Sequence, residues 1–195
     1  MKTILKASIA FIVLFAISCS KEINNKQSMA TPVSANALAA DTVHYIGEKY
    51  GGGIVYYVDG TGKHGFIAAI ANQSAGITWN KDGINISTGA TNSVSGAGKD
   101  NTAKIITAYG NTGNYAALLC ANYRGGGYSD WFLPSKEELI KLAAQQKVVG
   151  NFTGGNYWSS TEADAVNAWF VHFHRSLVLK LGKSNVYHVR AIRQF

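Results

Sequence analysis

The stretch Gly125-Gly126-Gly127-Tyr128-Ser129-Asp130-Trp131-Phe132-Leu133-Pro134-Ser135-Lys136-Glu137-Glu138-Leu139-Ile140-Lys141-Leu142-Ala143-Ala144 decides how the rest of the chain is read. Three glycines let the backbone turn where a side chain would clash. Trp131, Phe132 and Leu133 then supply three large apolar side chains in a row, and Pro134 pushes Leu133 toward an extended conformation. Ser135 and Glu138 have capping-box spacing, in which the Ser hydroxyl accepts from the Glu138 amide and the carboxylate reaches back. Leu139, Ile140, Leu142 and Ala143 follow at helical spacing. An aromatic plug is thus fixed ahead of a well-started amphipathic helix, and Trp131, Ser135 and Glu138 are expected to be structural. None of these residues forms a catalytic set.

Upstream, Tyr45-Ile46-Gly47 and Gly51-Gly52-Gly53 lead into the β-branched and aromatic run Ile54–Val58. A turn at Asp59–Gly62 and a second run, Gly65–Ile70, complete a β-hairpin. The spacing Gly60-x-Gly62-x-x-Gly65 is not a dinucleotide fingerprint, because a strand rather than a helix follows it. Gly182-Lys183-Ser184 is not a phosphate loop, because Leu177 stands where the first glycine is required. Residues 80–99 are polar and rich in Gly, Ser, Thr and Asn. They predict a long loop with one short strand at Ile84–Ile86, serving either function or variable packing over a sheet. Asp100 or Asn101 is expected to cap a helix carrying Ile105, Ile106 and Tyr109 and ended by Gly110. Asn114 is expected to cap another carrying Leu118, Leu119 and Tyr123 and ended by Gly125.

Tyr157–Glu162 reads as a strand and turn, with Trp158 structural. The C-terminal part reads as a three-strand meander. In Trp169–His174, alternation places Trp169, Val171 and Phe173 on one face and Phe170, His172 and His174 on the other, with Trp169 structural. Leu177, Leu179 and Leu181 alternate with Val178 and Lys180, and Gly182–Asn185 turns the chain into Val186–Phe195. The buried face of that last strand is ambiguous, because Arg190 and Ile192 share a side. The fold class is α+β, with antiparallel strands from both ends of the domain and about three helices between them.

The N-terminus is of another kind. Lys2 and Lys6 precede the apolar run Ala7–Ile17, the pattern of an export signal. The run is too short to span a bilayer. It ends in Ala16-Ile17-Ser18-Cys19, which resembles a lipobox, so Cys19 is expected to carry a lipid. Residues 20–43 are poor in large apolar side chains and read as a flexible tether. The expected organisation is a lipoprotein signal over 1–18, the lipidated cysteine and tether over 19–43, and one domain over 44–195. That domain is long enough to bury a core. Removal of the signal takes Lys2 and Lys6 with it, so the formal charge falls by two, from +7 to +5.

Four segments carry a family resemblance. Tyr50–Asp59, Gly127–Leu139, Tyr157–Glu162 and Val189–Arg193 occur in that order. Together they resemble the bacterial domains named after the C-terminal domain of the collagen-like adhesin Lcl, over roughly residues 45–195. The resemblance implies a C-type-lectin-like fold, distantly related to formylglycine-generating enzymes, and an exported or surface protein. In the adhesin itself it implies binding to sulfated glycosaminoglycans. The chain contains no collagen repeat.

Several chemistries are disfavoured by the residues present. Formylglycine-type activity needs reactive cysteines; Cys19 is assigned to lipid and Cys120, in an apolar helical segment, to a buried inert thiol. A calcium-dependent sugar site wants several carboxylate and carbonyl oxygens. Here Trp79-Asn80-Lys81 puts a cation where a carboxylate belongs. His172 and His174 point the same way from one strand, but zinc needs further ligands and only His188 is near in sequence. No metal, cofactor or catalytic residue is therefore expected.

After Asp164 no acid follows to the end of the chain, while Arg175, Lys180, Lys183, Arg190 and Arg193 do, with His172, His174 and His188. A basic patch attracts sulfates and phosphates. Arg190 and Arg193 are read as internal ties. Arg175, Lys180 and Lys183, with His172 and His174, are the candidate ligands for an anionic glycan. The resulting expectation is a non-enzymatic, lipid-anchored binding module of the bacterial envelope, at the outer membrane or cell surface. Its expected partners are the membrane through the lipid and either a sulfated polysaccharide or an envelope or host surface protein. The alternative is a structural or assembly component that binds another envelope protein. Export disfavours nucleic acid.

Overall fold

A computed structural model describes residues 42–195. The signal, Cys19 and most of the tether lie outside the described residues. No described helix is long and apolar enough to cross a membrane.

Among the described residues, nine strands and four α-helices form the expected α+β arrangement: β1 (Lys49–Tyr50), β2 (Gly53–Val58), β3 (Gly65–Ala69), β4 (Ser74–Thr78), α1 (Gly98–Tyr109), α2 (Ala116–Ala121), α3 (Lys136–Ala144), α4 (Gln146–Val149), β5 (Asn156–Glu162), β6 (Asn167–His172), β7 (Leu177–Gly182), β8 (Val186–Val189) and β9 (Ile192–Gln194). One sheet has the order β1-β2-β3-β9, the other β4-β8-β5-β6-β7. Side chains alternate across a strand, and here both faces are used. Val55, Ile67, Trp158 and Phe170 enter one core with Ile105 of α1 and Leu118 of α2. Their neighbours Ile54, Tyr56, Phe66, Tyr157 and Val171 enter a second with Leu139 and Leu142 of α3. That double burial explains the unbroken apolar runs of β2 and β3.

Two glycine triplets, Gly51–Gly53 and Gly125–Gly127, meet in space. A Cβ on Gly52 would lie 2.7 Å from the Gly125 carbonyl oxygen, and one on Gly126 would lie 2.3 Å from Gly52 Cα. Both have positive φ, +83° and +65°, so glycine is required for conformation as well as for space. Arg193 lies beside the crossing. Its guanidinium donates to both carboxylate oxygens of Asp130 at 2.8 and 2.9 Å and to the Gly51 carbonyl, and stacks on Tyr128. Trp131, buried beyond Asp130, donates its indole N–H to Gly125. The Ser135 capping box forms as expected.

The structure corrects the sequence reading at several points. Residues 84–86 form no strand, and Ile84 is exposed. β4 precedes the loop instead. α1 starts at Gly98 with no side-chain cap, and Asn101 donates to the Asn92 carbonyl, tying down the loop. α2 begins after Tyr115 rather than at an Asn114 cap, and ends at Ala121. The C-terminal strands are not a meander. β7 pairs only with β6; β8 inserts between β4 and β5, parallel to β5; and β9 crosses to β3 in the other sheet. The turn after β7 fails to make a hairpin because Lys183 turns inward, and Tyr187 packs on Trp158 and Phe170. In β9 both sides are used, since Ile192 and Arg193 are both buried, and Arg190, in the link before it, is buried too.

Candidate functional site

The C-terminal run is free of acids in sequence but not in space. Lys183 is fully buried. Its ammonium donates to Glu162 Oε1 at 2.5 Å and to the Ile86 and Ala165 carbonyls, 4.6 Å from the Trp79 ring centroid. Glu162 in turn accepts the Thr88 and Gly89 amide N–H groups, each at 2.9 Å. Lys183 is therefore the pin of the 79–97 loop and cannot bind a ligand, a correction to its assignment as one. Burial lowers the Arg190 guanidinium to about 10, which leaves it charged at neutral pH. It donates to Asn72 Oδ1 and to the carbonyls of Ala69 and Asn151. Arg193 is taken by Asp130. The reading of these two arginines as internal ties holds.

The histidines also divide. His188 packs on the Tyr157 ring, and burial pushes its pKa down, so mild acid does not readily charge it. His172 is half-buried, with Nδ1 unpartnered, and His174 is exposed, their ring centroids 6.0 Å apart. Arg175 is exposed on the turn that follows β6. Lys180 is exposed near the other end of β7. Asp164 approaches it: its carboxyl is held below the usual range by Asn167 first, and more weakly by Lys180. Of the five candidate ligands, Arg175 and His174 gather at one end of β7, with His172 half-buried beside them; Lys180 stands at the other end and Lys183 is lost to the core.

A different grouping completes the Lys180 end. Trp169 lies directly opposite Lys180 in the β6–β7 ladder, so their side chains share a face. The Lys136 ammonium sits 4.7 Å from the Trp169 ring centroid, within cation–π range. Lys136 is the first residue of α3, and its amide donates to Thr161 Oγ1 at 2.9 Å, which fixes the side chain's root over β5 and β6. Trp169, expected to be structural, is only half-buried, unlike Trp79, Trp131 and Trp158. The result is an aromatic ring flanked by a lysine from the helix and a lysine from the edge strand. Lys136 was invisible as a site residue because its sequence context explains it fully as the start of a capped helix. Only the β6–β7 register shows that Trp169 and Lys180 are neighbours.

A concavity of about 490 Å³ lies elsewhere, between the β2–β3 hairpin and the loop before α1. Its charged lining is engaged internally. Lys141 donates to Ser95 Oγ at 2.8 Å and covers the Tyr57 ring, and Asp59 accepts from the Thr61 amide and hydroxyl. Cys120 is fully buried, and burial raises its thiol pKa well above the ordinary value. Among the described residues, no group of three His, Cys, Asp or Glu side chains is placed to hold a metal ion.

Two sheets with one core on each face, and a half-buried tryptophan beside the N-terminus of α3 on the face that α3 covers, define an α+β domain. The family model of the Lcl C-terminal domain matches residues 68–193, and the chain belongs to that family. The matched span runs from β3 through β9, while the first glycine triplet and β2 precede it. No curated protein matches the chain.

Proposed function

We propose that the protein is a non-enzymatic, adhesion-type binding module, held at the bacterial envelope by lipid on Cys19, that takes sulfated or otherwise anionic glycans. Membership of an adhesin-derived domain family supports the adhesion role. The observation that carries the ligand class is the Lys136–Trp169–Lys180 cluster: the Lys136 ammonium over the Trp169 indole, with Lys180 the cross-strand neighbour of Trp169 on the same face of the sheet. The ring offers a face to the C–H groups of a sugar, and the ammonium groups meet sulfate or carboxylate substituents. Exposed ion pairs are worth about 0–1 kcal/mol each, so affinity comes from repeated contacts along a polymer and falls steeply with salt. The non-catalytic reading draws on the burial of Cys120, which keeps that thiol from acting as a nucleophile. The exposed leucines of β7 favour the second reading, an assembly component.

Retention on immobilised heparin tests the proposal. The Lys136→Ala/Lys180→Ala variant should elute at clearly lower salt than the parent. A control that removes two exposed cations elsewhere, Arg124→Ala/Lys147→Ala, should elute close to it. Equal losses in both variants would mean that only overall charge matters; no retention of the parent would remove the glycan reading.

A further inference from the structure

β7 ends its sheet, and its outer edge pairs with no strand among the described residues. Leu177, Leu179 and Leu181 point to one face and are 45%, 44% and 43% exposed. Sheet edges are normally guarded by charge, proline or a bulge. Here the register with β6 runs unbroken over six residue pairs, and the strand's one charge, Lys180, lies on the opposite face from the leucines. We infer that β7 pairs antiparallel with β7 of a second copy, about a two-fold axis through Leu179, joining two five-stranded sheets into one.

The argument is self-complementarity. A two-fold contact uses the same patch on both subunits, so the patch must match itself. Leu-x-Leu-x-Leu reads the same in both directions about Leu179. With that centre, Leu177 faces the second copy's Leu181, Leu179 faces its own copy, and Val178 faces Lys180. The leucines form one cross-strand ladder. The Lys180 stem lies along an aliphatic neighbour, with its ammonium in water. Charge selects the register: centring the pair on Lys180 would set two ammonium groups directly opposite each other, and centring it on Val178 would leave Leu181 facing Arg175. On the other face, the chosen register places the two Lys180 Cα atoms about 8 Å apart, from strand spacings alone. Two Lys136–Trp169–Lys180 clusters would then adjoin across the axis. The inference does not depend on the glycan reading, because the leucine ladder and the cation face are opposite sides of the sheet.

Cysteine scanning of the full chain in detergent tests the register. Leu179→Cys should form a covalent dimer under mild oxidation, since directly opposed residues lie about 4.5–5.5 Å apart at Cα, within disulfide range. Leu177→Cys alone should not, because it lies about 14 Å from its own copy. Leu177→Cys/Leu181→Cys should cross-link again. The parent, whose Cys120 is buried, supplies the background. Sedimentation should show a concentration-dependent dimer that Leu179→Lys abolishes with its circular dichroism unchanged. A parent that stays monomeric at all concentrations, or Leu177→Cys cross-linking as readily as Leu179→Cys, would overturn the inference.

Discussion

Replacing Lys183 with Met separates the internal from the external role of the C-terminal cations. Met keeps most of the aliphatic stem and removes the ammonium. Glu162 would then keep only the Thr88 and Gly89 amides and the hydroxyls of Ser87 and Thr88, in a site with no solvent exposure. The Ile86 and Ala165 carbonyls would lose their shared donor. Breaking a buried pair by removing one partner costs about 3–5 kcal/mol, a large part of the roughly 5–15 kcal/mol that holds a domain together. With a urea slope of about 2 kcal/mol/M, the midpoint should fall by about 2 M. Urea unfolding followed by tryptophan fluorescence measures it directly, because Trp79 lies against the ammonium. Lys180→Met, at an exposed position, should shift stability by no more than about 0.5 kcal/mol. Glu162→Gln/Lys183→Met should recover part of the loss, since no buried charge remains and the amide oxygen still accepts from the loop. If Lys183→Met and Lys180→Met unfold at the same urea concentration, Lys183 is not the buried pin described here.

Other expectations follow from the same geometry. Gly83→Ala, at φ +74° in open space, should cost about 1–2 kcal/mol for its left-handed conformation alone. Gly126→Ala should cost clearly more in a thermal melt, because its Cβ also meets the backbone of Gly52. The Asp130 carboxyl is held below its ordinary value, chiefly by hydrogen bonding from Arg193. Its contribution is present above the unfolded pKa of about 3.9 and is lost as pH falls through the lower folded value. Asp130→Asn should therefore flatten the acid limb of the stability profile. His188 is pushed down by burial, so its share of stability is full above about pH 6.5 and declines as pH falls through the folded value; His188→Gln should remove that decline. Cys19→Ala should move the protein from the membrane to the soluble fraction, and unchanged fractionation with no attached lipid by mass spectrometry would remove the anchor.

The local signals were legible because short-range physics set them. The Ser135 capping box, the β2–β3 hairpin, the Gly110 stop and the buried Trp131 and Cys120 all follow from neighbours in the chain. The long-range pairings were not. Nothing in the spacing around Lys183 reveals Glu162, because the partner lies 21 residues earlier and meets it only when β8 leaves β7 for the centre of the sheet. The same crossing turned an apparent basic patch into three internal ties and left Arg175, His174 and Lys180 outside. The two-faced burial of β6 also blurred its alternation: Phe170 and Val171 are both core, so the half-exposure of Trp169 could not be read from its period. Glu138 shows how little of a capping residue's role is local. Beyond the box it accepts the Gly96 amide across 42 residues, anchoring the far end of the loop that Glu162 holds at its middle.

The cluster that carries the proposed function contains the domain's one partly exposed tryptophan; Trp79, Trp131 and Trp158 are buried. Acrylamide quenching with and without a sulfated heparin oligosaccharide therefore reads the site directly. The oligosaccharide should protect the quenchable component, progressively less as salt is raised, and Trp169→Phe should abolish that component in the free protein. Saturating oligosaccharide that leaves the quenching of Trp169 unchanged at low salt would place any glycan contact elsewhere and contradict the site.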